Sequence, residues 1–222
     1  SRISRNSTNV HKKWNRKKWL SGSKRTMKFG IAGRIPLEPA RKRGKIPLGL
    51  RERKRMALRE VITIPHPILR KKAHKTTEFD KDFQQLVNDM IETMRDAPGV
   101  GLAAPQIAIS QRLIVVEFGD EDDENAPQKL YVMANPEIIS ASDEKVKGIE
   151  GCLSIPDLIG EVERHQSVVV KGLNRYGKPT KIKAEGWLAR IFQHEIDHLD
   201  GILYPDRTDR VWRPGPDEEI PL

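Results

Sequence analysis

The sequence predicts an α+β fold, with mixed or antiparallel strands around a buried central helix and one amphipathic helix nearer the N terminus. Three observations lead to this class. Short β-rich runs separated by turn residues recur between positions 112 and 184. An earlier stretch repeats apolar residues at intervals of three and four, which is typical of an amphipathic helix. A second helical stretch, 187–199, is apolar on nearly all sides and is therefore expected inside the domain.

The amphipathic helix is predicted from Phe79 to Met94. Asp80 or Thr77 is expected to cap its N terminus, and Ala97-Pro98-Gly99 to end it. Its apolar residues are Phe79, Phe83, Leu86, Val87, Met90, Ile91 and Met94. We expect this helix to pack on the core and to carry no catalytic residue.

A short extended entry at 61–67, which two prolines stop, precedes this helix. The strands follow the helix. They are expected at 112–118, at 129–133, as a further pair of strands within 137–149, and at 162–173 and 180–184. Asn135-Pro136 is predicted to start a turn between the second and third runs. The acidic stretch 120–125 is predicted to be a loop, and 174–179 to be a hairpin turn.

The predicted central helix contains His194-Glu195-Ile196-Asp197-His198, an H-E-x-x-H pattern. Residues four apart share a helix face, so His194 and His198 can offer two imidazoles to one metal ion. Glu195 would reach a water molecule there and pass its proton to a leaving group. Cys152 is the single cysteine of the chain, and as a third ligand it would leave a fourth position open. Two unrelated histidines are the alternative, which the apolar surroundings disfavour.

Three segments of the chain carry a resemblance to a known family. They are Gly99-Val100-Gly101-Leu102-Ala103-Ala104-Pro105-Gln106, Glu150-Gly151-Cys152-Leu153-Ser154 and Gln193-His194-Glu195-Ile196-Asp197-His198. Together they resemble the three motifs of peptide deformylases, in the family's order. The resemblance extends from Met56 to Leu203. It implies an enzyme that hydrolyses the N-formyl group from the formyl-methionine of a newly made protein chain.

The resemblance also implies a metal centre. Its ligands would be Cys152, His194 and His198, with Fe(II) as the metal and zinc, nickel or cobalt as substitutes. Glu195 would shuttle the proton to the leaving amine. Arg164 resembles a family position that pairs with the acid inside the metal helix, which is Asp197 in this sequence.

The resemblance gives roles to the two other motifs as well. The side chain of Gln106 would donate a hydrogen bond to the formyl oxygen, and the amide of Leu153 would be the second donor. Val100 and Gly101 would pair with the substrate peptide through their backbone, and Gly151 would line the substrate. Without the resemblance, the residues 99–106 favour an ordinary turn. They do not form a phosphate loop, because no Lys-Ser/Thr follows the glycines.

Two rival functions stay open at this stage. A zinc endopeptidase with H-E-x-x-H would find its third ligand downstream of the helix. There the sequence has no histidine after His198 and a proline-rich tail whose acids include Asp206, Asp209, Glu218 and Glu219. A basic RNA- or ribosome-binding protein would hold a structural metal. The intact Glu195 argues against that, as does the count of three ligands, because closed structural sites use four.

The charge of the chain divides it into unlike parts. Residues 1–55 contain 19 lysines and arginines against two acidic residues, a formal charge of +17, whereas 56–222 sum to −8. We therefore predict a basic extension at 1–55, a catalytic domain at 56–205 and a polar, proline-rich tail at 206–222. No apolar run approaches the length of a membrane span. The single cysteine excludes an internal disulfide, so a reducing, cytoplasmic location is expected.

The basic extension has four interpretations. Its self-repelling charge favours disorder. Its lysines and arginines would also bind phosphates of RNA, on the ribosome for example, with Trp14 or Trp19 stacking on bases. An organellar transit segment has a similar composition. Met56 would alternatively be the native start, and 1–55 extra translated sequence. Nothing in the sequence points to a particular oligomeric state.

Overall fold

The computed structural model describes residues 57–119 and 127–215. The predicted extension 1–55, the acidic loop 120–125 and residues 216–222 of the predicted tail lie outside these ranges. Within them the chain has two α-helices and eight strands in two antiparallel sheets, which confirms the α+β class. No helix in the described ranges is long and apolar enough to cross a membrane.

The strands divide into a five-stranded and a three-stranded sheet. In chain order they are β1 (Gly101–Ala103), β2 (Leu113–Phe118), β3 (Lys129–Ala141), β4 (Lys145–Cys152), β5 (Ile155–His165), β6 (Ser167–Leu173), β7 (Pro179–Glu185) and β8 (Val211–Trp212). The larger sheet has the order β1-β2-β3-β6-β7 and the smaller β4-β5-β8. Every neighbouring pair is antiparallel. This leaves β1 at an edge of the larger sheet.

Helix α1 spans Lys81–Asp96. The carboxylate of Asp80 accepts hydrogen bonds from the backbone N–H groups of Asp82 and Phe83. Asp80, one of the two residues predicted to cap the helix, is therefore the N-cap. The apolar stripe of the helix packs against β1, β2 and the residues between them. Burying each of these large apolar side chains contributes about 1.5–3 kcal/mol relative to an exposed position.

Helix α2 spans Gly186–Leu199 and is buried along most of its length. Its apolar residues pack on the inner face of the larger sheet. The shared cluster includes Ile191, Phe192, Ile196 and Leu199 from the helix and Ile114, Met133, Val168 and Val170 from the strands. The helix end that carries the two histidines is thereby held rigidly inside the fold.

The turn predicted at Asn135-Pro136 is wrong, because β3 continues through both residues. The register between β3 and β6 shifts between Ala134 and Glu137, so the pair forms a bulge within the strand. Asn135 has a φ of 51°. Its side-chain amide exchanges two hydrogen bonds of 2.8 Å with the backbone of Thr76, which stabilises the bulge.

The single strand predicted at 162–173 is also wrong. The structure has two strands there, β5 and β6, and they belong to different sheets. The break falls at Gln166, whose N–H donates to Glu144 O and whose carbonyl accepts from Gly186 N. The chain therefore crosses from one sheet to the other at a residue without a glycine or proline signal.

Residues beyond the predicted domain boundary at 205 pack on the fold. Arg207 donates two hydrogen bonds to the carboxylate of Asp197 on α2. Strand β8 pairs with β5 through Ile159 and Gly160. The first part of the predicted tail thus contributes backbone and ionic contacts to the smaller sheet and to the helix with the histidines.

Candidate active site

Three metal-binding side chains converge where the smaller sheet meets α2. Cys152 ends β4, and His194 and His198 lie on successive turns of α2. The Sγ of Cys152 is 3.2 Å from His198 Nε2, which in turn is 3.2 Å from His194 Nε2. All three donor atoms lie within 4.8 Å of one another. The structure therefore brings together the cysteine and the two histidines that the sequence singled out.

These donors fit a divalent metal ion. The Nε2 atoms of His194 and His198 are only 3.2 Å apart. Two nitrogen lone pairs would repel each other at this distance unless a proton or a cation lies between them. One sulfur and two nitrogens suit iron, zinc, cobalt or nickel. Three protein donors leave a coordination position for water or substrate, as catalytic sites require.

Glu150 determines how His194 presents its ring. The Oε2 of Glu150 accepts a 2.9 Å hydrogen bond from His194 Nδ1, which leaves Nε2 directed at the other two donors. Burial alone would raise the pKa of Glu150, but hydrogen bonds from Arg164 and His194 hold this pKa far below its ordinary value. The carboxylate is therefore ionised and acts as an acceptor.

The two histidines differ in their affinity for protons. Burial lowers the pKa of His198, and the nearby charges of His194 and Arg164 lower it further. Burial also disfavours charge on His194, but hydrogen bonds with Cys152 and Glu150 outweigh burial and raise its pKa. A proton therefore competes with a metal ion mainly at His194.

Glu195 is buried beside the three donors. Burial raises its pKa to about 7, with an opposing influence from His194 and a supporting one from Glu150. Its Oε2 has no hydrogen-bond partner among the residues that the structure describes. Its Oε1 lies against Gly101 of β1. A carboxyl group with a pKa near neutrality can both take and give a proton at physiological pH.

Gln106 lies close to Cys152. Its Oε1 accepts a 2.8 Å hydrogen bond from Ala103 N, which fixes the orientation of the amide. Its Nε2 is consequently directed at the site, 3.6 Å from Cys152 Sγ and 3.4 Å from Ser154 Oγ. The structure thus brings this predicted donor to the metal-binding residues.

Three of the four remaining predicted residues adjoin these groups: Gly101 lies against Glu195, and Gly151 and Leu153 flank Cys152 in the chain. Gly101 pairs with Val116 in the ladder of β1 and β2, and Val100 precedes it, with its carbonyl accepting from Glu117 N. Gly151 precedes Cys152 in β4, and Leu153 follows it in the tight turn before β5.

A buried ionic network supports the site. Arg164 binds Glu150 through Nε and Nη2 and binds Asp197 through Nη1 at 2.5 Å, which confirms the predicted pair with Asp197. Arg190 also binds Glu150. The sequence reasoning gave no role to Glu150 or Arg190. Their spacing held a signal, because Glu150 is two residues from Cys152 on a strand and Arg190 is four from His194 on a helix.

A sulfur and two imidazole nitrogens beside a buried carboxylate are the arrangement that metal-dependent hydrolases use. The sequence matches the polypeptide deformylase family over residues 58–213, so the chain belongs to that family. Its reaction is the removal of the N-formyl group from newly made protein chains, as predicted. Residues 1–55 lie outside the match.

Relatives and solved structures agree with this assignment. The peptide deformylase of Symbiobacterium thermophilum is 52% identical over 156 residues, covering 70% of this chain and 69% of the relative. That of Natranaerobius thermophilus is 48% identical over 158 residues, covering 71% and 97%. The crystal structure of a peptide deformylase from Legionella pneumophila is 44% identical with a TM-score of 0.63, covering 69% of this chain and 87% of that one.

Proposed function

We propose that Cys152, His194 and His198 hold the metal ion of this deformylase. The convergence of their donor atoms within 4.8 Å carries the proposal. Fe(II) is the metal that the family resemblance favours, and Zn(II), Ni(II) and Co(II) suit the same donors. When bound, a divalent ion at such a site lowers the pKa of water and polarises a carbonyl group.

Glu195 is the proposed general base and acid. Its carboxylate takes a proton from the attacking water and later gives it to the amine that leaves as the new N terminus. Two features support this role: the group is buried within electrostatic reach of His194, and its pKa of about 7 suits proton transfer in both directions. The reaction converts the formyl amide and water into formate and a free α-amino group.

Gln106 and the backbone amide of Leu153 are the proposed donors to the oxyanion. Negative charge develops on the formyl oxygen as water adds, and fixed donors stabilise that charge without reorganising. The bond from Ala103 N to Gln106 Oε1 supports the proposal, because it directs Nε2 toward the site. The Leu153 amide follows Cys152 directly and belongs to a tight turn between two paired strands.

The formyl-methionyl peptide would bind along the backbone of Val100, Gly101 and Gly151. Strand β1 supports this proposal because it is an edge strand, to which an extended peptide can add by main-chain hydrogen bonds. Gly101 and Gly151 lack side chains that would keep a peptide backbone away.

We further propose that the catalytic part of the chain, predicted at 56–205, also includes the residues up to Trp212 that pack on it, and that 1–55 is a basic extension that contacts RNA, for example on the ribosome. The support is compositional: the extension has a formal charge of +17, and the rest of the chain has −8. Lysines and arginines neutralise phosphates without any defined fold.

Formate release from a formyl-methionyl peptide tests the catalytic proposal, with an acetyl-methionyl peptide as the comparison. The wild-type protein should release formate and leave the acetylated peptide and all internal peptide bonds intact. Glu195→Gln should keep its metal and lose roughly 10²–10⁴-fold in turnover, the usual worth of a general acid–base group. Glu185→Gln, at an exposed residue just before α2, is the matched control. Near-normal turnover by fully metallated Glu195→Gln would refute the role of Glu195.

A further inference from the structure

Arg190 links α2 to both neighbouring strands of the smaller sheet. It lies one helical turn before His194, and only 6% of its surface is exposed. Its Nη1 donates to Glu150 Oε1 at 2.8 Å and to Val162 O at 2.9 Å. Its Nη2 donates to Val146 O at 2.6 Å. The guanidinium thus bonds one carboxylate and two carbonyls from adjacent strands.

A glycine makes room for this guanidinium. A β-carbon at Gly148 would lie 2.8 Å from Cζ of Arg190 and 2.9 Å from Nη2. Gly148 has no positive φ that would require glycine. The space above β4 at this position is therefore filled by the arginine.

Glu150 is held from two sides. Its Oε1 accepts from Arg164 Nε at 2.9 Å as well as from Arg190, and its Oε2 accepts from Arg164 Nη2 at 3.0 Å and from His194 Nδ1. The two arginines therefore fix the plane of the carboxylate. Arg164 binds both oxygens from the sheet, and Arg190 is the donor from α2, the helix that also carries His194. Without Arg190 the carboxylate keeps its pair with Arg164 but loses its tie to α2, so the Glu150 and Arg164 pair can shift together relative to His194 Nδ1.

We propose that Arg190 is a positioning residue for the metal site: by holding Glu150 Oε1 it keeps Oε2 in line with His194 Nδ1, so that His194 Nε2 faces Cys152 and His198. The inference rests on the proposed metal site. It goes beyond it by giving a function to a buried arginine whose side-chain hydrogen bonds go to Glu150, Val162 and Val146 and to none of the three donor residues that the structure describes.

A purely structural role for Arg190 makes a different prediction. An arginine that only joins α2 to the sheet would lower the stability of the protein when replaced, and the folded fraction would bind metal as before. A positioning residue changes the metal affinity of the folded protein. Replacing groups that orient a metal ligand typically weakens affinity 10- to 100-fold.

The first measurement is the Co(II) dissociation constant, obtained in competition with a chelator under anaerobic conditions. Arg190→Met keeps an unbranched apolar stem in place of the inner part of the arginine side chain and removes all its donors, so we expect about 10- to 100-fold weaker binding. Arg190→Lys keeps one charged donor and should recover part of the loss. Asp89→Asn is the control, since it removes a buried charge on α1 that bonds Arg59, and should lower stability without changing the Co(II) affinity.

A second measurement reads the hydrogen bond itself. In zinc-loaded wild-type protein, the Nδ1–H proton of His194 should be visible by NMR and protected from exchange by Glu150. In Arg190→Met this proton should exchange faster, whereas the corresponding signal of Asp89→Asn should match the wild type. A merely structural role would leave it unchanged in the folded protein.

Gly148→Ala provides a variant that keeps every charge. Its methyl group would displace the guanidinium of Arg190. Co(II) should therefore bind more weakly than to the wild type, as expected for Arg190→Met. In the Arg190→Met background the same change should have no further effect, because the group it displaces is gone. This variant also tests the proposal if Arg190→Met fails to fold.

The outcomes separate the two proposals. Wild-type protein that binds no Co(II), or binds it without a sulfur-to-cobalt absorption band, would refute the metal site itself. Wild-type protein with that band, together with unchanged affinity and unchanged His194 exchange in Arg190→Met, would overturn the role of Arg190 alone. Additive losses in the Gly148→Ala and Arg190→Met pair would overturn it as well.

Discussion

Gly101 lies so close to Glu195 that a β-carbon at position 101 would be 2.3 Å from Oε1 and 2.8 Å from Cδ. Both distances are well inside van der Waals contact. The backbone of β1 is therefore one wall of the space that holds the proposed base. The contact is possible because α2 and β1 are packed against each other in the same core.

Gly101→Ala should lower turnover although every proposed catalytic group is retained. The new methyl group must push the Glu195 carboxylate aside, and a displacement of about 1 Å in a positioned group can cost roughly 10²-fold in rate. Formate release under saturating peptide measures the effect. The double variant Gly101→Ala/Glu195→Gln should be little slower than Glu195→Gln alone, because the displaced carboxylate is already absent. Full additivity of the two losses would contradict the explanation.

Cys152→Ala should lose both the metal and the activity. The thiolate is one of three proposed donors, and binding of the ion is coupled to folding, so the midpoint of thermal unfolding should fall as well. Elemental analysis of the purified protein and a thermal melt are sufficient. One tightly bound metal ion per chain in Cys152→Ala would mean that the third donor lies elsewhere.

Asp89 should make the stability of the protein depend on pH. Burial raises the pKa of this carboxyl, but hydrogen bonds from Ala57 N, Gln85 and Arg59 outweigh burial and bring the pKa below its ordinary value of 3.8. Ionised Asp89 thus stabilises the fold above the unfolded pKa, and this stabilisation is lost as pH falls through the lower folded value.

The test compares urea unfolding of the wild type and Asp89→Asn between neutral and acidic pH. The difference in unfolding free energy should be largest near neutrality and should shrink below a pH of about 4. A difference that stays constant over this range would show that the charge of Asp89 contributes nothing to the pH dependence.

Removal of residues 1–55 should leave the activity on short formyl peptides unchanged, because the family match begins at residue 58. The full chain should bind ribosomal RNA at low salt and the shortened chain should not. Binding should weaken steeply with added salt, as the release of counterions requires. Loss of peptide activity would assign 1–55 to the catalytic unit, and equal RNA binding by both chains would remove the proposed role of the charge.

The parts of the site that follow from local geometry were predictable from sequence. A spacing of four on a helix places His194 and His198 together whatever surrounds them. The pairing of Arg164 with Asp197 was predicted from the family resemblance and not from a local pattern. Glu150 and Arg190 form their bond between β4 and α2, 40 positions apart, and no local pattern states which strand packs against which helix.

Local signals also failed where tertiary structure overrode them. Asn135-Pro136 is a turn signal, but the side chain of Asn135 bonds the backbone of Thr76, and the pair is accommodated as a bulge. At Gln166 the reverse holds: an unbroken β-rich run is divided because its two halves pair with different partners, β4 on one side and β3 on the other.

Strand β8 affects how the chain tolerates being shortened from its C terminus. It pairs only with Ile159 and Gly160 of β5. Without β8, the backbone N–H and C=O groups on this side of the two residues would have no strand partner. Exposed strand edges are templates for pairing with other chains and for aggregation. A protein that ended at residue 205 would therefore keep all the proposed metal donors and yet be prone to self-association, whereas one that ended after Trp212 would keep this part of the edge paired.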